Sequence, residues 1–231
     1  MKKKKKKCVN MVSGGIDSSV LTLRLLYEGY KVFGIIFDYG QENFNITYSK
    51  AKKFTEKYGV SLKVIKIPTD WVKSSILKGQ KQDEKTTVDN LYKQDIKEMF
   101  WIPARATLFW SLAGSYASSL GIEEVYSAIQ MDKEDWNKYD LLESKSDFPN
   151  GELTPEFMKV INEMAKYSYK TPIKFIAPFL EEKAYSNKIT LDGKKLGLWF
   201  NDTYSCRYFP ECNRCAQCLI RKNRLKYIEN E

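Results

Sequence analysis

Two short apolar runs, at 9–12 and 32–37, are rich in β-branched residues and bounded by turn residues, a pattern that predicts buried parallel strands. Between them, residues 18–27 carry Val20, Leu21, Leu23, Leu25 and Leu26 with neither proline nor glycine. That spacing predicts a helix with one apolar face, and Gly29 stands where a C-terminal cap belongs. The three segments make one βαβ unit, and a second follows as a helix over 46–57 and a strand over 62–67. Residues 68–100 are polar with weak periodicity and predict a partly helical surface excursion. Beyond Pro103, residues 104–120 are small and apolar over a broad face, which suits a helix packed closely on a sheet; residues 123–128 predict the next strand. Residues 130–153 read as a long polar loop, a length uncommon in a compact domain without a functional reason. Thr154-Pro155-Glu156 opens another helix, with Thr154 as cap and Pro155 at the first helical position. A strand near 173–176 and a helix from about 182 follow. The alternation predicts an α/β fold, a doubly wound, Rossmann-like parallel sheet, with a small C-terminal module. The expected organisation is a disordered arm over 1–7, an α/β domain over 8–200 and a cysteine-bearing module over 201–231.

Composition narrows the chemistry. The 231 residues contain no histidine, which excludes Ser-His-Asp and Cys-His catalysis, HExxH metal sites and Cys₂His₂ fingers within this chain. Proton transfer then falls to Asp, Glu, Lys, Tyr or Cys. With 43% hydrophobic and 14% aromatic residues the chain has enough apolar material for a core. No apolar run reaches the roughly 18–20 residues of a bilayer-spanning helix, so no membrane association is expected. The basic start is followed by an apolar stretch too short for a signal peptide, so a cytoplasmic, reducing setting is expected. The net charge of +9 includes Lys2 to Lys7; without those six lysines it is +3. The lysine run reads as a solubility arm rather than a polynucleotide contact.

Two motifs carry chemistry. Ser13-Gly14-Gly15-Ile16-Asp17-Ser18-Ser19 lies between the first strand and the first helix. There an α/β sheet opens a crevice, and a helix N-terminus offers backbone N–H groups to an anion. The two glycines allow close approach of an oxyanion, and the serine hydroxyls add donors. The loop is neither a Walker loop nor GxGxxG. Cys206, Cys212, Cys215 and Cys218 form C-x₅-C-x₂-C-x₂-C, a spacing that aims four thiolates at one tetrahedral Zn²⁺. An iron–sulfur cluster and a disulfide pair are the alternatives. Arg207, Arg214, Arg221, Lys222 and Arg224 form a basic collar that would offset a Zn(Cys)₄ charge, and Cys8 reads as a buried apolar residue.

SGGIDS resembles the pyrophosphate-binding loop of the PP-loop ATP pyrophosphatases, which cleave ATP to AMP and pyrophosphate while adenylating an oxygen of their substrate. Further stretches narrow the likeness: Phe37-Asp38-Tyr39-Gly40-Gln41, Ile102-Pro103-Ala104-Arg105 with Thr107-Leu108-Phe109 and the alanines Ala113 to Ala117, Asp147-Phe148-Pro149 with Thr154-Pro155-Glu156-Phe157, Ala177-Pro178-Phe179 with Lys183, and Leu196-Gly197 with Thr203-Tyr204-Ser205-Cys206. In order, from about 9 to 225, they resemble the 7-cyano-7-deazaguanine synthase family of queuosine biosynthesis.

The resemblance implies an ATP-dependent carbon–nitrogen ligase that adenylates the carboxylate of 7-carboxy-7-deazaguanine and takes ammonia to the amide and then the nitrile. It implies ATP, Mg²⁺ and Zn²⁺ and a homodimer. It implies that Ser13, Gly14, Gly15, Ile16, Asp17, Ser18 and Ser19 hold pyrophosphate, with Asp17 placing Mg²⁺. Asp38, Tyr39 and Gln41 would line the nucleotide or base pocket, Arg105 and Lys183 would bring positive charge, and Asp132 and Phe148 would meet the substrate, with Asp135 and Asp140 competing for the part of Asp132. The chain departs from the family pattern at Gln41-Glu42-Asn43, where Arg and His are lost, at Ala106, where an Asn is lost, and at Asn150-Gly151, where a carboxylate and a cysteine are lost. These substitutions fall on the substrate side. They leave room for a relative that adenylates a deazaguanine carboxylate and passes it to another acceptor such as a protein amine. A zinc-containing nucleic-acid-binding module is the reading from a different class.

Overall fold

The structure, a computed structural model, describes residues 5–74, 76–78, 101–142, 144 and 151–231. Five parallel strands, β1 (Lys7–Met11), β2 (Lys31–Asp38), β3 (Ser61–Lys66), β4 (Glu124–Tyr126) and β5 (Lys174–Ile176), form one sheet in the order β3-β2-β1-β4-β5. The chain winds outward from β1 to β3, then restarts on the other side at β4. That reversal leaves a crevice beyond the carboxyl ends of β1 and β4, where doubly wound sheets take their ligands.

Alternation within the strands explains why helices cover both faces. On one side, Cys8 and Val32 pack with Val20, Leu21 and Leu25 of α1 (Ile16–Tyr27) and Phe54 of α2 (Phe44–Lys57). On the other, Val9, Ile35 and Phe37 pack with Trp110, Ala113 and Ala117 of α3 (Arg105–Ser119). The small residues predicted over 104–120 are thus the ones that let α3 lie close to the sheet. Gly29 caps α1 as expected: its φ is +88° and its N–H donates to the Leu26 carbonyl.

The polar reading of 130–153 needs correction. It contains α4 (Lys133–Leu141), which buries Trp136 and Tyr139 in the main core, and a 3₁₀ turn over Gly151–Leu153. Two aromatic anchors three residues apart suffice to dock nine otherwise mostly polar residues, too sparse a stripe for periodicity to show. Residues 143 and 145–150, among them Phe148, lie outside the described residues, as do 79–100 of the predicted surface excursion. The end of the excursion that is described runs back against the turn after β2: Gln41 bridges Leu77, and Thr69 Oγ1 donates to the Tyr39 carbonyl at 2.7 Å.

Beyond the turn comes α5 (Pro155–Ser168), where Thr154 Oγ1 accepts from Phe157 N as the sequence predicts. The helix expected from about 182 is instead a short α6 (Pro178–Glu181) and a later α7 (Ser186–Lys195), separated by Lys183 at φ +48°. The last helix, α8 (Ala216–Glu229), starts inside the cysteine cluster. It lies back against the α/β body: Lys194 Nζ of α7 donates to the Ile228 carbonyl at 2.6 Å, and Arg224 Nε donates to Thr190 Oγ1 at 2.6 Å.

Candidate active site

The glycine-rich loop at 13–15 joins β1 to α1. Gly14 has φ +77°, and a Cβ there would come within 2.4 Å of the Thr47 carbonyl oxygen, so only glycine fits this turn against α2. Gly15 is the N-cap of α1 and no side chain caps it, so the first N–H groups of the helix are left for an incoming anion. The hydroxyls turn out to serve the loop itself. Ser18 Oγ accepts from Ser13 N and lies 3.0 Å from Ser13 Oγ, while Ser19 Oγ donates to the Gly15 carbonyl at 2.8 Å. Ser18 and Ser19 brace the loop, beside the backbone N–H groups of the first turn of α1.

Beside this loop lies a cavity of about 420 Å³, within the range of small-molecule sites. The loop contributes Ser13, Gly15, Ile16, Asp17 and Ser18 to its wall, and β2 and its turn contribute Phe37, Tyr39 and Gln41. Phe109 of α3 adds an aromatic surface, stacked on Phe37 at 4.3 Å and tilted against Tyr39 at 5.5 Å between ring centroids. Gln41 faces the cavity but spends its amide on the turn: Oε1 accepts from Tyr39 N at 2.9 Å, and Nε2 donates to the Phe37 carbonyl at 3.0 Å. Asp38 Oδ1 accepts from Gly40 N and lies off the wall. Asn43, where the expected histidine is missing, also lines the cavity and donates to the Cys206 carbonyl at 2.8 Å, stitching the turn to the cysteine segment.

The remaining predicted residues stand farther out. Arg105 begins α3 with its guanidinium 5.9 Å from the Tyr39 ring centroid. Lys183 sits over the Trp136 ring at 4.4 Å and pairs with Asp140 at 3.5 Å. Asp132 accepts from Ser186 Oγ at 2.8 Å. None of these three is on the cavity wall. In place of the missing Asn, Ala106 leaves the start of α3 to Glu152, whose carboxylate accepts from Ala106 N, Thr107 N and Thr107 Oγ1 at 2.6–3.0 Å.

The residues that sequence reading missed come from the C-terminal segment. Tyr204, Ser205, Gln217 and Arg224 add to the cavity wall beside the loop, and Tyr204 N donates to the Gly14 carbonyl at 2.8 Å. Arg224, read from sequence as part of a collar around the cysteines, instead pairs with Asp17 of the loop. Arg221 also turns away from the cysteines, donating to the Phe200 carbonyl and to the Thr203 hydroxyl. No nearby sequence pattern announces these contacts.

The four cysteine sulfurs lie within 4.8 Å of one another. Their neighbouring separations of 3.5, 3.6, 3.9 and 4.0 Å bracket the spacing of about 3.8 Å that tetrahedral Zn–S bonds of ~2.3 Å require, and are far too long for a disulfide. Backbone N–H groups of Tyr208 and Cys212 point at Cys206 Sγ, and that of Cys215 at Cys212 Sγ, the outer hydrogen bonds that thiolate ligands need. Without a cation the four cannot all ionise. The hydrogen bond from Cys206 pulls the Cys215 thiol down, while Cys206 and Cys218 are pushed up, the first mainly by Cys215 and the second mainly by burial. A divalent metal removes that conflict, and the donor set fits zinc. Cys8, wholly buried in β1, is pushed up to about 12 mainly by burial and is no ligand. Mg²⁺ binds through one or two carboxylates together with substrate phosphates, and Asp17, on the cavity wall in the first turn of α1, suits that part.

Comparison with known proteins decides the family. The profile of queuosine biosynthesis protein QueC matches residues 7–229. The chain belongs to the QueC family. Among its relatives, the 7-cyano-7-deazaguanine synthase of Leptospira interrogans is 31% identical, over 94% of this chain and 85% of that one. Those of Methanococcus aeolicus and Methanocaldococcus jannaschii are each 29% identical, over 95% and 96% of this chain and 94% and 100% of theirs. Among solved structures, a 4-thiouridine synthetase–RNA complex with bound ATP superposes with a TM-score of 0.50 at 16% identity, covering 97% of this chain and 51% of that one. That likeness shows the shared fold. Among the described residues no helix is long and apolar enough to cross a membrane.

Proposed function

We propose that the chain is an ATP-dependent synthase of the queuosine pathway that converts 7-carboxy-7-deazaguanine to 7-cyano-7-deazaguanine. The observation that carries this reading is the cavity at the sheet's carboxyl edge, floored by the uncapped N-terminus of α1 and walled by Tyr39 and Phe109, in a chain of the QueC family.

The substrate carboxylate attacks the α-phosphorus of ATP, and pyrophosphate leaves. Ammonia adds to the acyl carbon, AMP departs, and a proton is lost to give the amide. The amide oxygen then attacks the α-phosphorus of a second ATP and a second pyrophosphate leaves; loss of both amide protons and departure of AMP give the nitrile. The loop N–H groups of Ile16, Asp17 and Ser18 are assigned to the leaving pyrophosphate, whose charge grows as the bond breaks. Mg²⁺, held by Asp17, would supply further charge neutralisation. The aromatic wall suits a planar base, and closing the cavity from the cysteine segment keeps water from the acyl-adenylate. Arg105 is assigned to bring positive charge to the substrate side. For Asp132 and Lys183 to act there, as the family resemblance implies, their present partners, Ser186 for one and Asp140 with Trp136 for the other, must be exchanged for substrate. None of these steps needs the histidine that the chain lacks.

The test is incubation of the purified protein with ATP, Mg²⁺, ammonia and 7-carboxy-7-deazaguanine, with AMP, pyrophosphate and base products followed by mass spectrometry. The nitrile, with two AMP per base, is the expected product. Absence of both AMP and pyrophosphate sinks the proposal, and AMP without nitrile or amide points to another acceptor.

A further inference from the structure

We infer that Arg224 is a positioning residue for nucleotide phosphate, carried into the phosphate site by the helix that grows out of the cysteine centre. The inference rests on the proposed assignment of the loop to pyrophosphate. Asp17 places a negative charge in the first turn of α1, beside the N–H groups that would receive phosphate. Left alone, that carboxylate repels the ligand the loop is shaped for. Arg224 answers it. Its Nη2 donates to Asp17 Oδ1, its Nε donates to Thr190 Oγ1 at 2.6 Å, and the residue forms part of the cavity wall.

The side chain is buried, so its charge acts with little screening by water. These two contacts use two of the five N–H donors of the guanidinium, which leaves donors that an anion sharing the wall can engage. Thr190 is itself fully buried and fixed by donating to the Ser186 carbonyl at 2.7 Å, so the fork is held from behind by α7. Arg224 also lies less than two turns beyond Cys218 on α8. The orientation of that helix, and so the position of the cation, depends on the cysteine centre. In this arrangement the cysteine module sets the charge of the phosphate site from a distance.

The test uses the full-length, zinc-loaded protein and measures binding of inorganic pyrophosphate and of ATP with Mg²⁺ by titration calorimetry, alongside zinc content. R224Q is expected to weaken both ligands about 10-fold with zinc content unchanged, and R224K to recover part of the loss, since lysine restores charge without the fork. T190V removes the support behind Arg224 without touching the cavity, and is expected to weaken both ligands about 3-fold. Wild-type affinity in R224Q and T190V overturns the inference. Should R224Q fail to fold, unchanged affinity in T190V overturns it alone. A wild-type protein that binds neither pyrophosphate nor ATP refutes the proposed function instead.

Discussion

Asp17 and Cys8 show how one side chain answers to its surroundings. Asp17 pairs with Arg224 and is proposed to serve the phosphate site, so two substitutions separate its parts. Asp17→Asn keeps an acceptor for Arg224 and removes the charge; Asp17→Ala also leaves a buried guanidinium without this partner, a cost of about 1–3 kcal/mol. Both are expected to abolish AMP formation, with Asp17→Ala lowering the melting temperature more than Asp17→Asn. Normal AMP release by Asp17→Asn would remove the residue from the reaction. Cys8 carries a pH dependence. Its pKa in the fold is about 12 against an ordinary 9.0, so burial favours the neutral thiol. The stability this gives is complete below pH 9 and is lost as pH rises toward 12, at about 1.4 kcal/mol per unit, because only the unfolded chain ionises there. Cys8→Ala should flatten the alkaline limb of a stability–pH curve measured by denaturant unfolding; an unchanged slope refutes the assignment.

At the scale of elements, sequence pattern reads best where one residue does one local job. Thr154 caps α5, Gly29 ends α1, and the alanines of α3 meet the sheet, all within a few residues of their own signal. It reads worst where the partner is far away. Ala104, the N-cap of α3, has a left-handed φ of +53° and no capping side chain; the cap is Glu152, which follows the 3₁₀ turn's first residue. Glu152→Ala should cost about 1–2 kcal/mol, since a charged acceptor at a helix N-terminus is lost. A drop in melting temperature of about 2–4 °C per kcal/mol is then expected by calorimetry. No change would show that α3 is held by packing alone. The hidden helix α4 has the same origin: Trp136 and Tyr139 carry it because a pocket exists to receive them.

Across the whole molecule, the cysteine segment is part of the cavity rather than an appendage. Tyr204 bonds the loop at Gly14, Asn43 holds the Cys206 carbonyl, and Arg224 meets Asp17. Cys215→Ser, or chelation, should therefore release the metal and also weaken ATP binding at least 10-fold. Metal analysis and titration on the same sample check this; retained ATP affinity after metal loss would show that the segment folds without it, and bound iron would replace zinc with a cluster. The sequence by itself determined the strand–helix alternation, the glycine turn between β1 and α1 and the four clustered cysteines. Each is a run of neighbouring residues, and local sterics, helix dipoles and ligand spacing act over just such distances. What tertiary structure alone decided is which distant charges meet. The pairing of position 17 with position 224, the capping of α3 by Glu152 and the seating of Lys183 over Trp136 rather than on the cavity wall depend on sheet order and helix docking. Those are set by burial of the two helical faces, a sum over the whole chain that no short stretch of it contains.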